Sequence, residues 1–269
     1  MPIKVCIAGT TGWTGSMVAR HLLESPEFEV VGAIARQTAG RDLGEVLGLA
    51  ANGLLIHRTL DDVCAGGAQP DVLVDYTDPV SVKQRTFEAL RRGIRVVIGT
   101  SGLTAADYVE IEHEATAAGM GVVAAGNFSI TAALAKHFSL VAARHLRSWE
   151  IIDYAGAAKV DAPSGTTREL AEAMGDVAQS ELAVAIGQTH GAVEARGATI
   201  GGTQVHSVRL PGFVIAFETL FGLPDERLTI RHDAGSGAEP YAAGTLLAVR
   251  KVMEITGVVR GLDQLLFNE

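Results

Sequence analysis

Eight consecutive residues, Lys159-Val160-Asp161-Ala162-Pro163-Ser164-Gly165-Thr166, bring a flexible cation, a carboxylate and a Ser-Gly-Thr turn together. A run of helical character, Thr167 to Ala173, follows directly. Backbone N–H groups at a helix start have no partner within the helix, and the helix dipole favours an anion in front of them. Gly165 allows close approach of a ligand to the backbone, and Pro163 stiffens the entry. An ammonium beside such a turn is a receptor for a small carboxylate. The same residues also suit a simpler role, in which Asp161 or Ser164 caps a helix and Lys159 is a solvated charge.

A second candidate site lies at the N-terminus. Ile3 to Ala8 is a short, apolar, β-branched run of the kind found in a buried parallel strand. It leads into Gly9-Thr10-Thr11-Gly12-Trp13-Thr14-Gly15 and then a helical stretch, Ser16 to Glu24. Strand, glycine turn and helix together form the setting of a dinucleotide fingerprint. The next strand, Phe28 to Ile34, ends in Ala35-Arg36-Gln37, with Arg41 nearby. No carboxylate stands there to meet the 2′-hydroxyl of NAD, and the guanidinium of Arg36 favours a 2′-phosphate. NADPH is the expected cofactor, with NADH possible.

Elements of alternating type must position these groups. Val72 to Thr77 and Arg95 to Gly102 read as strands with small polar residues at their carboxyl ends, where open α/β sheets bind ligands, and Gly121 to Ala125 reads as another strand. Thr77, Gly99, Thr100 and Ser101 lie at those ends, and Asn127 in the turn Gly126-Asn127-Phe128-Ser129 is placed to bond a nicotinamide amide. Val80 to Arg92 and Ala105 to Ala118 read as crossover helices. After a helix, Ile130 to His145, and a strand, Ser148 to Tyr154, the character changes. Val205 to Leu210, Phe213 to Leu220 and Arg227 to His232 are β-rich runs separated by Pro211-Gly212 and Pro224-Asp225, which predicts a mostly antiparallel sheet. Tyr241 to Ile255 reads as a final helix. The fold class is therefore α/β, a Rossmann dinucleotide-binding domain over 1–128 and 240–269, with an α+β substrate and oligomerisation domain over 129–239.

The 269 residues carry a net charge of −9, which argues against a broad nucleic-acid surface. No apolar run suits a bilayer span, so no membrane partner is expected. Cys6 and Cys64 have no CxxC spacing, and the histidines show no paired ligand pattern. These features predict reduced thiols, a cytoplasmic location and no metal.

With these residues in view, the whole chain resembles the dihydrodipicolinate reductase family of lysine biosynthesis. The resemblance runs through Gly9 to Gly15, Gly40 to Glu45, Gly99 to Gly102, Asn127 to Ser129, Lys159 to Thr166, His206 to Gly212 and Leu228 to Asp233. It implies NAD(P)H-dependent hydride delivery to a small, unsaturated cyclic acid, and a homotetramer built on the substrate-domain sheets. By the same resemblance, Gly9, Thr10, Thr11, Gly12, Trp13 and Thr14 cradle the cofactor phosphates, while Ala35 and Arg36 face the ribose. Gly99 to Ser101 meet the nicotinamide side, and Ala125, Asn127 and Phe128 form the hinge. Lys159, with Ser164, Gly165 and Thr166, holds the substrate carboxylate.

One segment departs from the family pattern. Two adjacent histidines, the first the family's proton donor, precede the lysine there; this chain has Ala155-Gly156-Ala157-Ala158. Reduction of a C=N bond needs hydride at carbon and a proton at nitrogen. The substrate is therefore expected either to arrive as an iminium or to take its proton from Lys159, Tyr154 or Asp153. The emptied space, with Gly156 lining it, points to an imine or enamine reductase with an altered substrate. The alternatives are a genuine lysine-pathway reductase and a catalytically silent NADPH-binding sensor.

Overall fold

The computed structural model describes residues 1–267. Its contacts cluster into two units, the first comprising Met1–Ile130 with the chain from Ala238 onward, the second Thr131–Gly237.

In the first unit the chain runs β1 (Ile3–Ala8), α1 (Trp13–Glu24), β2 (Phe28–Ile34), α2 (Leu43–Val46), β3 (Ile56–His57), α3 (Leu60–Ala65), β4 (Val72–Asp75), α4 (Pro79–Arg91), β5 (Arg95–Ile98), α5 (Ala105–Ala118) and β6 (Gly121–Ala124). Helix α6 (Ile130–Ala143) then enters the second unit, which contains β7 (Trp149–Ala155), α7 (Gly165–Val177), β8 (Ala198–Ile200), β9 (Thr203–Arg209), β10 (Ile215–Leu223) and β11 (Glu226–Ala234). The chain returns to the first unit with α8 (Glu239–Lys251), β12 (Gly257–Arg260) and α9 (Leu262–Phe267).

The first sheet is parallel throughout, in the order β12-β6-β5-β4-β1-β2-β3. Strands β4 and β6 are buried along their whole length, as expected for strands covered on both faces. Side chains including Cys6, Ile34, Leu73, Val96, Ile98, Ile111 and Val122 make its core. Capping boxes at Thr59/Asp62 and Thr104/Asp107 start α3 and α5. Asp78 caps α4 by accepting from the N–H groups of Val80 and Ser81. Strands β3 and β12 widen the sheet beyond what the sequence indicated, because β3 is two residues long and β12 follows what reads as a terminal helix.

The second sheet has the order β11-β10-β7-β9-β8. It is mixed: β7 pairs parallel with β9, and the other neighbours are antiparallel. The parallel pair arises because α7 and the segment after it carry the chain back between β7 and β9, a connection that the Pro-Gly turns do not reveal. Trp149, Ile151, Leu170, Met174, Val205, Phe217 and Phe221 form the core under α6 and α7.

A close contact stands at the carboxyl ends of β4 and β5. Tyr76 lies over Gly99, its hydroxyl 2.6 Å from the Thr245 hydroxyl and its ring edge-to-face with Phe128 at 6.1 Å. A Cβ on Gly99 would stand 2.1 Å from the Tyr76 ring. Gly99→Ala is therefore expected to destabilise the protein by roughly 1–3 kcal/mol in urea titrations. An unchanged midpoint would show that the ring moves aside freely.

Candidate functional site

The glycine turn joins β1 to α1. Gly9 has φ +88°, and a Cβ there would lie 2.2 Å from the Tyr76 carbonyl oxygen. Gly15 packs as closely on the carbonyl of Gly9, at 2.1 Å from an added Cβ. Gly12 is the N-cap of α1 and offers no side-chain acceptor, so the first N–H groups of the helix keep their capacity for an anion. This arrangement fits a dinucleotide pyrophosphate. Thr11 and the exposed indole of Trp13 flank the turn; Trp13 meets Tyr241 edge-on at 5.7 Å. Thr14 sits in the first turn of α1. Thr10, by contrast, is fully buried. Its side chain faces the interior, so only its backbone can meet a ligand.

Beside the turn lies a recess of about 440 Å³ lined by Gly9, Thr11, Ala35, Arg36, Arg58, Thr77, Asp78 and Arg85, among others. Asp75, wholly buried at the end of β4, organises its floor. It accepts from the Thr77 hydroxyl at 2.6 Å and the Thr100 hydroxyl at 2.9 Å, and forms a close ion pair with Arg85. Thr77 thus lines the recess, and Thr100 braces the same carboxylate from the end of β5. Arg36 pairs with Asp78 at 2.7 Å. Ser101 is exposed, while Ala125 and Phe128 are buried, so the Phe128 ring belongs to the core and leaves its backbone for a ligand. Asn127 accepts from the Ser129 N–H at 2.8 Å and so shapes the turn.

In the second unit the Lys159–Thr166 segment closes onto one buried carboxylate. Asp153 is completely enclosed. Its Oδ1 accepts from the Ser164 hydroxyl at 2.6 Å and the Thr167 hydroxyl at 2.9 Å. Its Oδ2 accepts from the Ser164 N–H at 3.0 Å, the Ser207 hydroxyl at 3.3 Å and Arg209 Nη2 at 2.7 Å. Burial pushes the Asp153 carboxyl upward, but the hydrogen bonds from Ser164 and Arg209 outweigh it and hold the group below its ordinary value. Arg209 Nη2 also donates to the Asp161 carbonyl at 2.7 Å. Ser164 caps α7, as one reading of the sequence anticipated.

The open side of this segment carries Lys159 and Gly165. Lys159 Nζ lies 2.8 Å from Asp161 Oδ1, and this contact lowers the Asp161 carboxyl. An added Cβ at Gly165 would meet nothing within 4 Å. Open space therefore stands before the first turn of α7, where Gly165 and Thr166 lie. Gly156 is constrained differently: its carbonyl accepts from the Lys159 N–H at 3.0 Å, closing a turn.

Two expected catalytic groups are placed elsewhere. Asp153 is sealed behind Ser164 and acts on the turn, so it is not a proton donor to substrate. Tyr154 follows it in β7 and so points to the opposite face of the sheet. There its hydroxyl donates to Glu218 at 2.6 Å, its ring stacks on Phe213, and Arg231 lies 5.0 Å above it. Burial and then Glu218 push the Tyr154 hydroxyl upward, which makes it a poor acid at neutral pH. The structure does not bring it to Lys159. Conversely, Arg209 was not singled out from the sequence. Its signal was the alternation Ser207, Arg209 in β9, which the parallel register with Asp153 and Ala155 turns toward the carboxylate.

A glycine turn on a seven-stranded parallel sheet, in a chain whose second unit opens a helix beside a buried carboxylate, fits a two-unit dinucleotide-dependent oxidoreductase. The comparisons make the family specific. Residues 3–128 match the model for "Dihydrodipicolinate reductase, N-terminus" and residues 127–266 that for the C-terminus. A 4-hydroxy-tetrahydrodipicolinate reductase of Moorella thermoacetica is 40% identical over 264 residues, covering 98% of each chain. One from Thermosynechococcus vestitus is 35% identical over 269 residues. A dihydrodipicolinate reductase structure from Paenisporosarcina sp. TG-14 superimposes with a TM-score of 0.85 at 30% identity, covering 98% of this chain and 99% of that one. An amine dehydrogenase of Mycobacterium smegmatis, 17% identical with a TM-score of 0.67, shares the fold. The chain belongs to the dihydrodipicolinate reductase family, and it is an NAD(P)H-dependent oxidoreductase.

The depressed Asp153 carboxyl gives a signed pH expectation. Its stabilising contribution is full above the ordinary carboxylate pKa of about 4 and drains away as pH falls through its lowered value. Asp153→Asn leaves Arg209 without its charge partner and is expected to cost roughly 3–5 kcal/mol at pH 7. The gap between parent and variant should narrow below about pH 4. A gap independent of pH in denaturant titrations would contradict this role.

Proposed function

We propose that this protein is a 4-hydroxy-tetrahydrodipicolinate reductase. The observation that carries the reading is the segment that joins the Lys159 ammonium, paired with Asp161, to a first turn of α7 that is open at Gly165 and braced through Ser164 by a buried carboxylate. The near-full-length identity to reductases of that name supports it, as does the relative whose structure is described as dipicolinate-bound.

Bound nicotinamide cofactor would supply the hydride. Lys159 binds one substrate carboxylate by exchanging Asp161 for it, and the backbone at Gly165 and Thr166 receives the same group. Charge-assisted contacts of this kind fix orientation as well as affinity. The segment 155–158 holds no ionisable side chain, so the substrate nitrogen arrives already protonated, as an iminium, and Lys159 Nζ serves the carboxylate. In this reading NADPH is the preferred cofactor, the assembly is a homotetramer on the second unit's sheet, and the enzyme works in the cytoplasm.

A second reading is favoured by one observation: Ala155, Gly156, Ala157 and Ala158 stand where the family carries its histidines. It keeps the reductase chemistry but assigns a different cyclic imine or enamine. A silent sensor is disfavoured, because it has no use for Lys159 and the open turn.

NADPH oxidation with freshly generated dihydrodipicolinate, beside a panel of neutral and carboxylated cyclic imines, separates these readings. Efficient turnover of dihydrodipicolinate is expected, whereas turnover confined to other imines would establish the altered substrate. In the same assay Lys159→Ala should lower kcat/KM for the carboxylated substrate roughly ten- to a hundredfold and spare a neutral imine. Gly165→Ala should weaken the carboxylated substrate while leaving thermal stability unchanged or raised, since alanine suits a helix and meets nothing there. Equal losses on both substrate classes would assign Lys159 to proton supply instead of carboxylate binding.

A further inference from the structure

The recess beside the glycine turn contains three guanidinium groups, and they differ in how far they are committed. Arg85 is held by Asp75, by the Thr77 hydroxyl at 2.9 Å and by the Ser81 hydroxyl at 3.2 Å, and is only 15% exposed. Arg36 is paired with Asp78. The exposed side chain of Arg58 has no hydrogen-bond or ion-pair partner among the described residues.

The backbone around Arg58 is well fixed. Strand β3 pairs with β2 in the register Ala33–Ile56 and Ile34–His57, and the Ala35 N–H donates to the His57 carbonyl at 3.0 Å. The next residue, Thr59, caps α3. Arg58 is thus pinned between a strand pair and a helix start, beside the Ala35-Arg36 end of β2. Asp78 is equally fixed: Oδ1 caps α4, and Oδ2 accepts from the Ser81 hydroxyl at 2.8 Å as well as from Arg36. The Ser81 hydroxyl, followed by its N–H and Arg36, holds the Asp78 carboxyl below its ordinary value, so it is charged at neutral pH.

We infer that Arg58 and Asp78 set the choice between NADPH and NADH: Arg58 is the cation that receives the 2′-phosphate, and Asp78 opposes that phosphate by holding Arg36. A phosphate approaching Arg58 breaks no existing contact. One approaching Arg36 must compete with a carboxylate already in place, and it meets that carboxylate's charge at short range. NADH lacks the phosphate, so neither effect reaches it. The assignment rests on the family's use of a nicotinamide cofactor and names residues that the β2 motif alone does not include.

Calorimetric titration of the full-length protein tests it without turnover. The probes are NADPH and NADH, then adenosine 2′,5′-bisphosphate and adenosine 5′-monophosphate to isolate this end of the cofactor. Arg58→Ala is expected to weaken NADPH and the bisphosphate about tenfold while leaving NADH and the monophosphate within about twofold. Asp78→Asn keeps an acceptor for the α4 cap and should tighten NADPH several-fold without tightening NADH. Both differences should shrink at high salt, because the groups are solvent-exposed. Arg58→Ala weakening all four ligands alike, or Asp78→Asn leaving NADPH affinity unchanged, would overturn the assignment while the cofactor reading stands. Failure of the parent protein to bind either dinucleotide would overturn both.

Discussion

The second unit depends on one buried charge. An isolated carboxylate costs far too much to enclose, and Asp153 is tolerated only because hydroxyls, an amide and a guanidinium converge on it. Those donors are the site's own framework. Ser164 starts α7, Thr167 continues it, and Arg209 reaches from β9 to the Asp161 carbonyl. The same contacts that neutralise Asp153 therefore fix where Lys159 and the first turn of α7 face. Removing the carboxylate would leave a guanidinium unpaired and the anion turn unbraced together.

The first unit solves a comparable problem with backbone instead of charge. Gly9 and Gly15 bring β1, α1 and Tyr76 closer than any side chain permits, and Gly12 leaves the first helix N–H groups without a side-chain cap. The buried Asp75–Arg85 pair then fixes Thr77 and Thr100 at the carboxyl edge of the sheet. Under the proposed cofactor assignment, recognition divides accordingly: uncharged backbone for the pyrophosphate, and the charges of Arg36, Arg58 and Asp78 for the adenosine end.

Much of this was legible in the sequence where local pattern decides the outcome. β1, β2 and α5 fall where the runs Ile3 to Ala8, Phe28 to Ile34 and Ala105 to Ala118 place them. The glycine turn and the Lys159–Thr166 segment are contiguous, so their chemistry could be read directly. What the sequence withheld is assembled across distance. β3 is too short to carry a pattern, so nothing in the sequence places Arg58 beside the end of β2. The parallel β7–β9 pairing brings Arg209 to Asp153 from 56 residues away. Tyr154 is separated from the segment for a similar reason: it adjoins Asp153 in sequence, but strand alternation sends the two side chains to opposite faces.

In the proposed function the substrate carboxylate binds at the braced turn between Lys159 and Thr166. The most direct measurement is to titrate isotopically labelled protein with pyridine-2,6-dicarboxylate in the presence of oxidised cofactor, following backbone amide shifts and the Lys159 ammonium by NMR. The prediction is saturable perturbation centred on Gly165, Thr166 and Lys159, abolished by Lys159→Ala. Perturbations confined to other surfaces, or unchanged in that variant, would show that the carboxylate is held elsewhere.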